Sequence, residues 1–223
     1  MIGPRRDLRP GWQRRLDPAP SSVYRAFLRS RRLACRSRRG AGEPVRMSNL
    51  PLPAGTTAHA QPCPEARTGF VFICPGRHEA NRGYPCAAGT GANLNRVLEV
   101  LHQRRPDLFS SASRWQYVVT NSWDRVEYPA LTGRSVPTEG EVLMPANLER
   151  LAREIAALER VVACGAQAQA AIRALKAGGR FRGEVAFGRH LSQRSVNMIP
   201  GGTDTPSRIA RWCEDLLAQW PAG

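Results

Sequence analysis

A chain of 223 residues, 42% of them apolar, is long enough to close a hydrophobic core, which excludes a wholly disordered protein. The formal charge of +15 is uneven: residues 1–46 hold 13 Arg against 3 acidic residues, and the remainder holds 20 basic against 15 acidic, so only the N-terminal arm is strongly basic. No apolar run approaches the roughly 20 residues of a membrane-spanning helix, and no apolar core follows the first arginines as in a secretory signal, so a cytoplasmic protein is expected.

Residues 1–46 are rich in Arg, Pro and Ser and poor in periodic apolar positions. Three readings stand: a basic arm that tracks phosphates, a transit peptide, or a disordered tail ahead of a start at Met47. Residues 47–68 continue as a Pro/Thr/Ala linker, so residues 1–68 are expected to be extension and linker, and residues 69–223 the folded domain. The cysteines Cys35, Cys63, Cys74, Cys86, Cys164 and Cys213 include no C-x-x-C pair. Nothing matches a zinc-ribbon or ferredoxin spacing, and reduced thiols are expected.

Residues 69–74 (GFVFIC) form a continuous apolar run with aromatic and β-branched residues, as in a parallel strand buried on both faces. The run ends on Pro75-Gly76. A polar loop and a second turn at residues 88–91 then precede a helix over 93–103, whose Leu94, Val97, Leu98 and Leu101 share one face. Residues 117–120 (YVVT) predict a second buried strand ending at Asn121. A loop over 122–142 follows, long enough to be either functional or disordered. A helix over 145–158, a strand over 160–164, a helix over 166–177 and a weaker strand over 184–187 come next. A last amphipathic helix spans 206–220, with Asp204 or Thr205 as its cap. Such alternation predicts a three-layer α/β/α domain on a central parallel sheet of four strands.

In a parallel sheet the strand C-termini share one edge, and three polar stations fall there: residues 74–86, Asn121, and residues 190–195 (HLSQRS). Their order and spacing resemble the uracil-DNA glycosylase superfamily, nearest to its thermophile-type bacterial and archaeal branch. Phe72-Ile73-Cys74-Pro75-Gly76 stands for the first motif of that branch, and the run from Gly83-Tyr84-Pro85-Cys86 to Leu94 for its continuation. Val118-Val119-Thr120-Asn121 is similar to its strand ending in T-N, and His190-Leu191-Ser192-Gln193-Arg194-Ser195 to its closing H-P-S-P-L-S motif. The likeness covers residues 69–218.

This resemblance implies an enzyme that flips a damaged base, uracil first, out of DNA and hydrolyses its N-glycosidic bond. It implies that His190 donates a hydrogen bond to the negative charge growing on the leaving base. It implies that Asn121 reads the base edge, that the floor formed by Cys74, Pro75 and Gly76 holds the base, and that residues 192–195 meet the DNA. In that last motif Ser192 would contact a phosphate, alongside Gln193 and Ser195, and Arg194 would take the place of an apolar wedge. DNA is the implied partner, for a protein acting as a monomer, and the implied chemistry needs neither a metal nor an organic cofactor.

The sequence departs from the pattern at defined places. Ile73 occupies the position of the motif's glutamate, and Cys74 that of the Asp or Asn used by other relatives. Glu79 or Asp124 is then left to supply a water-positioning carboxylate. Cys86 stands where an aromatic residue stacks on the base, which leaves that task to Tyr84. The cysteines of an iron–sulfur cluster are missing. Two rival expectations follow: a nucleic-acid-binding member with weak or no activity, and a thiol hydrolase built on Cys74 and His78.

Overall fold

The computed structural model describes residues 52–220. The readings of the basic arm at residues 1–46 lie outside that span. The sheet has five strands: β1 (Ala60–Gln61), β2 (Thr68–Phe72), β3 (Val118–Asn121), β4 (Arg160–Cys164) and β5 (Glu184–Gly188). Their order is β1-β3-β2-β4-β5. β2, β3, β4 and β5 run parallel, and β1 pairs antiparallel with β3, Ala60 opposite Thr120 and Gln61 opposite Val119. The expected sheet of four parallel strands is thus a mixed sheet of five. The fifth strand comes from residues read as linker, because two residues carry no periodicity to detect. It is anchored instead by Gln61, whose amide nitrogen donates to the carbonyls of Arg114 and Tyr117, each at 3.0 Å.

β2 is the central strand, and all five of its residues are buried. Its alternation feeds two cores. Phe70 and Phe72, with Val119, Val162 and Ala186, pack under α2 (Gly89–Arg104) and α8 (Thr205–Leu217). Val71, with Val118, Val161 and Ala163, packs under α5 (Pro145–Ile155) and α6 (Ala166–Ala177). Strands covered on both faces need apolar side chains at every position, which is why these runs are continuous rather than alternating. Asp204 caps α8 by accepting the Ser207 N–H at 2.8 Å.

Four short helices escape the sequence reading: α1 (Arg77–Arg82), α3 (Pro129–Thr132), α4 (Glu139–Val142) and α7 (Gln193–Asn197). Each is too short for a helical apolar period to register. α2 also begins earlier than expected, so residues 89–91 are its first turn rather than a separate loop. The loop over 122–142 is ordered by charge. Arg134 bridges buried Glu127 at 2.6 Å and Glu141 at 2.7 Å, and the Trp123 indole N–H donates to Glu127 at 3.1 Å. These donors hold both carboxyls down to about 2, Arg134 being the main cause for each.

Candidate functional site

The chain leaves β2 toward β3 on one side, then crosses to β4 on the other. Crevices in open α/β sheets form at such a reversal, outside the strand C-termini. Here the loops after β2 and β4 meet over Gly165. This residue has φ +99, and a Cβ on it would lie 2.9 Å from Ile73 Cδ1 and 3.3 Å from His190 Cβ. Glycine at this position therefore lets the first and last sequence motifs approach each other.

His190 follows β5 and sets its ring edge-on against Phe72, the centroids 5.6 Å apart at 83°. Its Nδ1 lies 3.0 Å from the backbone nitrogen of Ser192. That nitrogen can only donate, so Nδ1 accepts and the neutral ring carries its proton on Nε2. Burial pulls the imidazole pKa down from 6.5 to about 4, against an opposing pull from Glu79, so the ring is neutral at pH 7.

The charge of Glu79 bears on His190, Cys74 and Cys86 together. It sits on α1 and accepts the Gly76 N–H at 3.0 Å on one oxygen and the Ala87 N–H at 2.9 Å on the other. It thereby ties the turn after β2 to the start of α2. A carboxylate has roughly four acceptor sites, so two are left for a water or a ligand.

Asn121 ends β3 opposite Phe72 and faces the same side of the sheet. It is buried, and its amide nitrogen donates to the His59 carbonyl at 2.9 Å. A carbonyl cannot donate, so this contact fixes the rotamer of the amide. The nitrogen is thereby held to the backbone beside β1.

Other expected site residues are placed elsewhere. Asp124 is exposed and lies 3.9 Å from Arg150 of α5, which belongs to the helix layer opposite the one over Phe72. It is a solvated ion-pair partner rather than a base in the crevice. Cys86 is buried within the core cluster at φ 53, which leaves it no role as a stacking surface. Tyr84 is half-buried, and its ring meets Trp115 edge-on at 5.5 Å.

Pro75 is buried, and its carbonyl accepts the Glu127 N–H at 2.9 Å. The Ser192 N–H serves His190 and is engaged, whereas the Ser192 hydroxyl caps α7 by accepting the Ser195 N–H at 3.3 Å and keeps its O–H to donate. Gln193 spends its amide on Asn197, Thr205 and Asn93. Arg194 is exposed and presents its charge to solvent, whereas Ser195 is half-buried.

The thiol-hydrolase expectation fails on geometry and charge. Cys74 Sγ donates to the Ser135 carbonyl at 3.7 Å, while His78 is exposed on α1. Burial, with Glu127 and Glu79 adding to it, pushes the Cys74 thiol up to about 12, so no thiolate is present near neutral pH.

Three contributors carry weak sequence signals. His59 acts through its backbone carbonyl, which no pattern can reveal. Arg114 and Trp115 are an adjacent basic and aromatic pair just before β3, a combination that sequence reading can single out. Among the described residues, no group of three or more His, Cys, Asp or Glu is arranged to hold a metal ion, and no helix is long and apolar enough to cross a membrane. A scan against protein-family models finds no match, and a search of curated proteins finds none either.

Proposed function

We propose that the domain is a uracil-DNA glycosylase-like hydrolase that removes a deaminated base, uracil first, after flipping it from DNA. The observation that carries this reading is the fixed tautomer of His190. A neutral imidazole, held by the Ser192 N–H, offers Nε2–H at the sheet edge where the chain reverses direction. Cleavage of an N-glycosidic bond leaves negative charge on a carbonyl oxygen of the departing base. A preorganised donor aimed at that oxygen stabilises the transition state more than the ground state. Asn121 Oδ1 accepts an imino N–H of the base. Glu79, the carboxylate near His190, orients the attacking water and balances the positive charge that grows on the sugar.

A second reading is a DNA-binding member with weak or no activity. It is favoured by Ile73, which fills the usual acid position and packs against Gly165. One assay separates the two. Single- and double-stranded oligonucleotides carrying uracil, hypoxanthine or xanthine are incubated with the protein, and abasic sites are then cleaved with alkali. Strand scission at any of these bases supports the enzyme. Salt-dependent binding without scission supports the binding member.

A further inference from the structure

Beside the crevice, Tyr84, Arg114 and Trp115 form a second cluster that the excision chemistry does not use. The guanidinium carbon of Arg114 lies 4.5 Å from the centre of the Trp115 ring and 5.5 Å from that of Tyr84. All three residues are half-buried and keep a surface toward solvent.

The cluster is built into the fold. The Arg114 Nη1 donates to the Cys86 carbonyl, and a Cβ on Gly91 would collide with both of these groups. The turn of Cys86 at φ 53 and the absence of a side chain at Gly91 together make room for the guanidinium. Among the described residues this is the one side-chain hydrogen bond Arg114 makes, and its buried Nε has no partner. The result is a positive charge packed against two aromatic rings that also touch each other. The backbone links it to the crevice, because the next residue, Ala87, gives its N–H to Glu79.

A flat ring joined to an anion matches this chemistry, and a nucleotide is such a group: its base stacks on indole or phenol and its phosphate meets the guanidinium. We infer that the Tyr84–Arg114–Trp115 cluster is a stacking site for an unpaired nucleotide of single-stranded DNA next to the extruded base. Stacking needs an exposed base face, so the site favours single strands over intact duplex. It rests on the nucleic-acid part of the proposed function and not on excision.

The test uses the full chain and an undamaged oligothymidine strand, with binding followed by fluorescence anisotropy. Trp115→Ala is expected to weaken binding about ten-fold, with Tyr84→Ala acting in the same direction and Trp115→Phe restoring most of the loss. A duplex of equal length is expected to change by no more than about two-fold. Arg114→Gln is expected to lower the salt slope for the single strand by about 0.7. Unchanged single-strand affinity in both alanine variants overturns the site, and so do equal losses on strand and duplex. Thymidine monophosphate competing as well as the strand also overturns it, in favour of a free-nucleotide pocket. If the wild-type chain excises no base but binds single strands through Trp115, the stacking site stands and the glycosylase reading falls.

Discussion

The backbone nitrogen of Ser192 lies 3.0 Å from Nδ1 of His190, and this contact decides what the histidine is able to do. Protonating Nδ1 would set two N–H donors against each other. Because the folded pKa of about 4 lies below the ordinary 6.5, the unfolded chain binds the proton more readily. The neutral ring's contribution to stability is therefore complete above pH 6.5 and is lost as the pH falls toward 4. The acid limb of excision on single-stranded substrate is expected near pH 4. The imidazole signals of His190 in an NMR titration should move at the same pH even with no substrate present. A midpoint near 6.5 in the titration would remove the acceptor-locked histidine from the mechanism.

Asn121 depends on β1 in the same way that His190 depends on Ser192. Its nitrogen meets the His59 carbonyl at 2.9 Å, and β1 is held further by His59 Nε2, 3.3 Å from Glu154. Asn121→Asp places a carboxylate oxygen against that carbonyl. A loss of about 1–3 kcal/mol in stability is expected, the range for a buried polar group that loses its partner. Chemical denaturation measures it. Asn121→Ala removes the side chain without opposing two acceptors and is expected to lose base selectivity more than stability. Stability in the Asp variant equal to wild type would mean that β1 does not set the amide's orientation.

How much of this was legible from sequence follows from the kind of signal each part gives. The buried strands and long helices announce themselves through apolar runs and helical periods, and the boundaries of β4 and α6 coincide with the expected ones. Backbone chemistry is invisible in the same letters. The His59 carbonyl, the Ser192 N–H and the Ala87 N–H set the orientation of Asn121, His190 and Glu79 without any side chain of their own. Asp124 and Glu79 are equivalent as loop acids in the sequence. Only the fold sends one to Arg150 and the other toward His190. Motif position points to Cys86 as a site residue, yet the turn that makes room for Arg114 buries it.

Cys74 provides a negative control for catalysis. Its thiol, pushed up to about 12 by burial and two nearby carboxylates, is expected to react with iodoacetamide at pH 8 far more slowly than a free thiol. Mass spectrometry of the labelled peptide measures the rate. Cys74→Ser is expected to keep most of the excision activity, since the hydroxyl retains a donor for the Ser135 carbonyl. Rapid labelling of Cys74 coupled to loss of activity would restore the thiol mechanism.

Gly165 offers the most direct test that the crevice is closed by backbone geometry. With φ +99 it adopts a conformation that L side chains rarely take, at a cost of about 1–3 kcal/mol for alanine. The added methyl would also press on Ile73 Cδ1 from 2.9 Å and on His190 Cβ from 3.3 Å. Gly165→Ala is therefore expected to destabilise the fold and to displace the histidine as well. Ile73→Val removes Cδ1 and relieves one of these contacts but not the backbone strain. The double variant should recover part of the stability lost by Gly165→Ala, with a coupling of about 0.5–1 kcal/mol in a double-mutant cycle. Activity should recover less than stability, because the contact with His190 persists. Strict additivity of the two substitutions would show that Gly165 is held by its dihedral angle alone and that Ile73 and His190 do not meet across it.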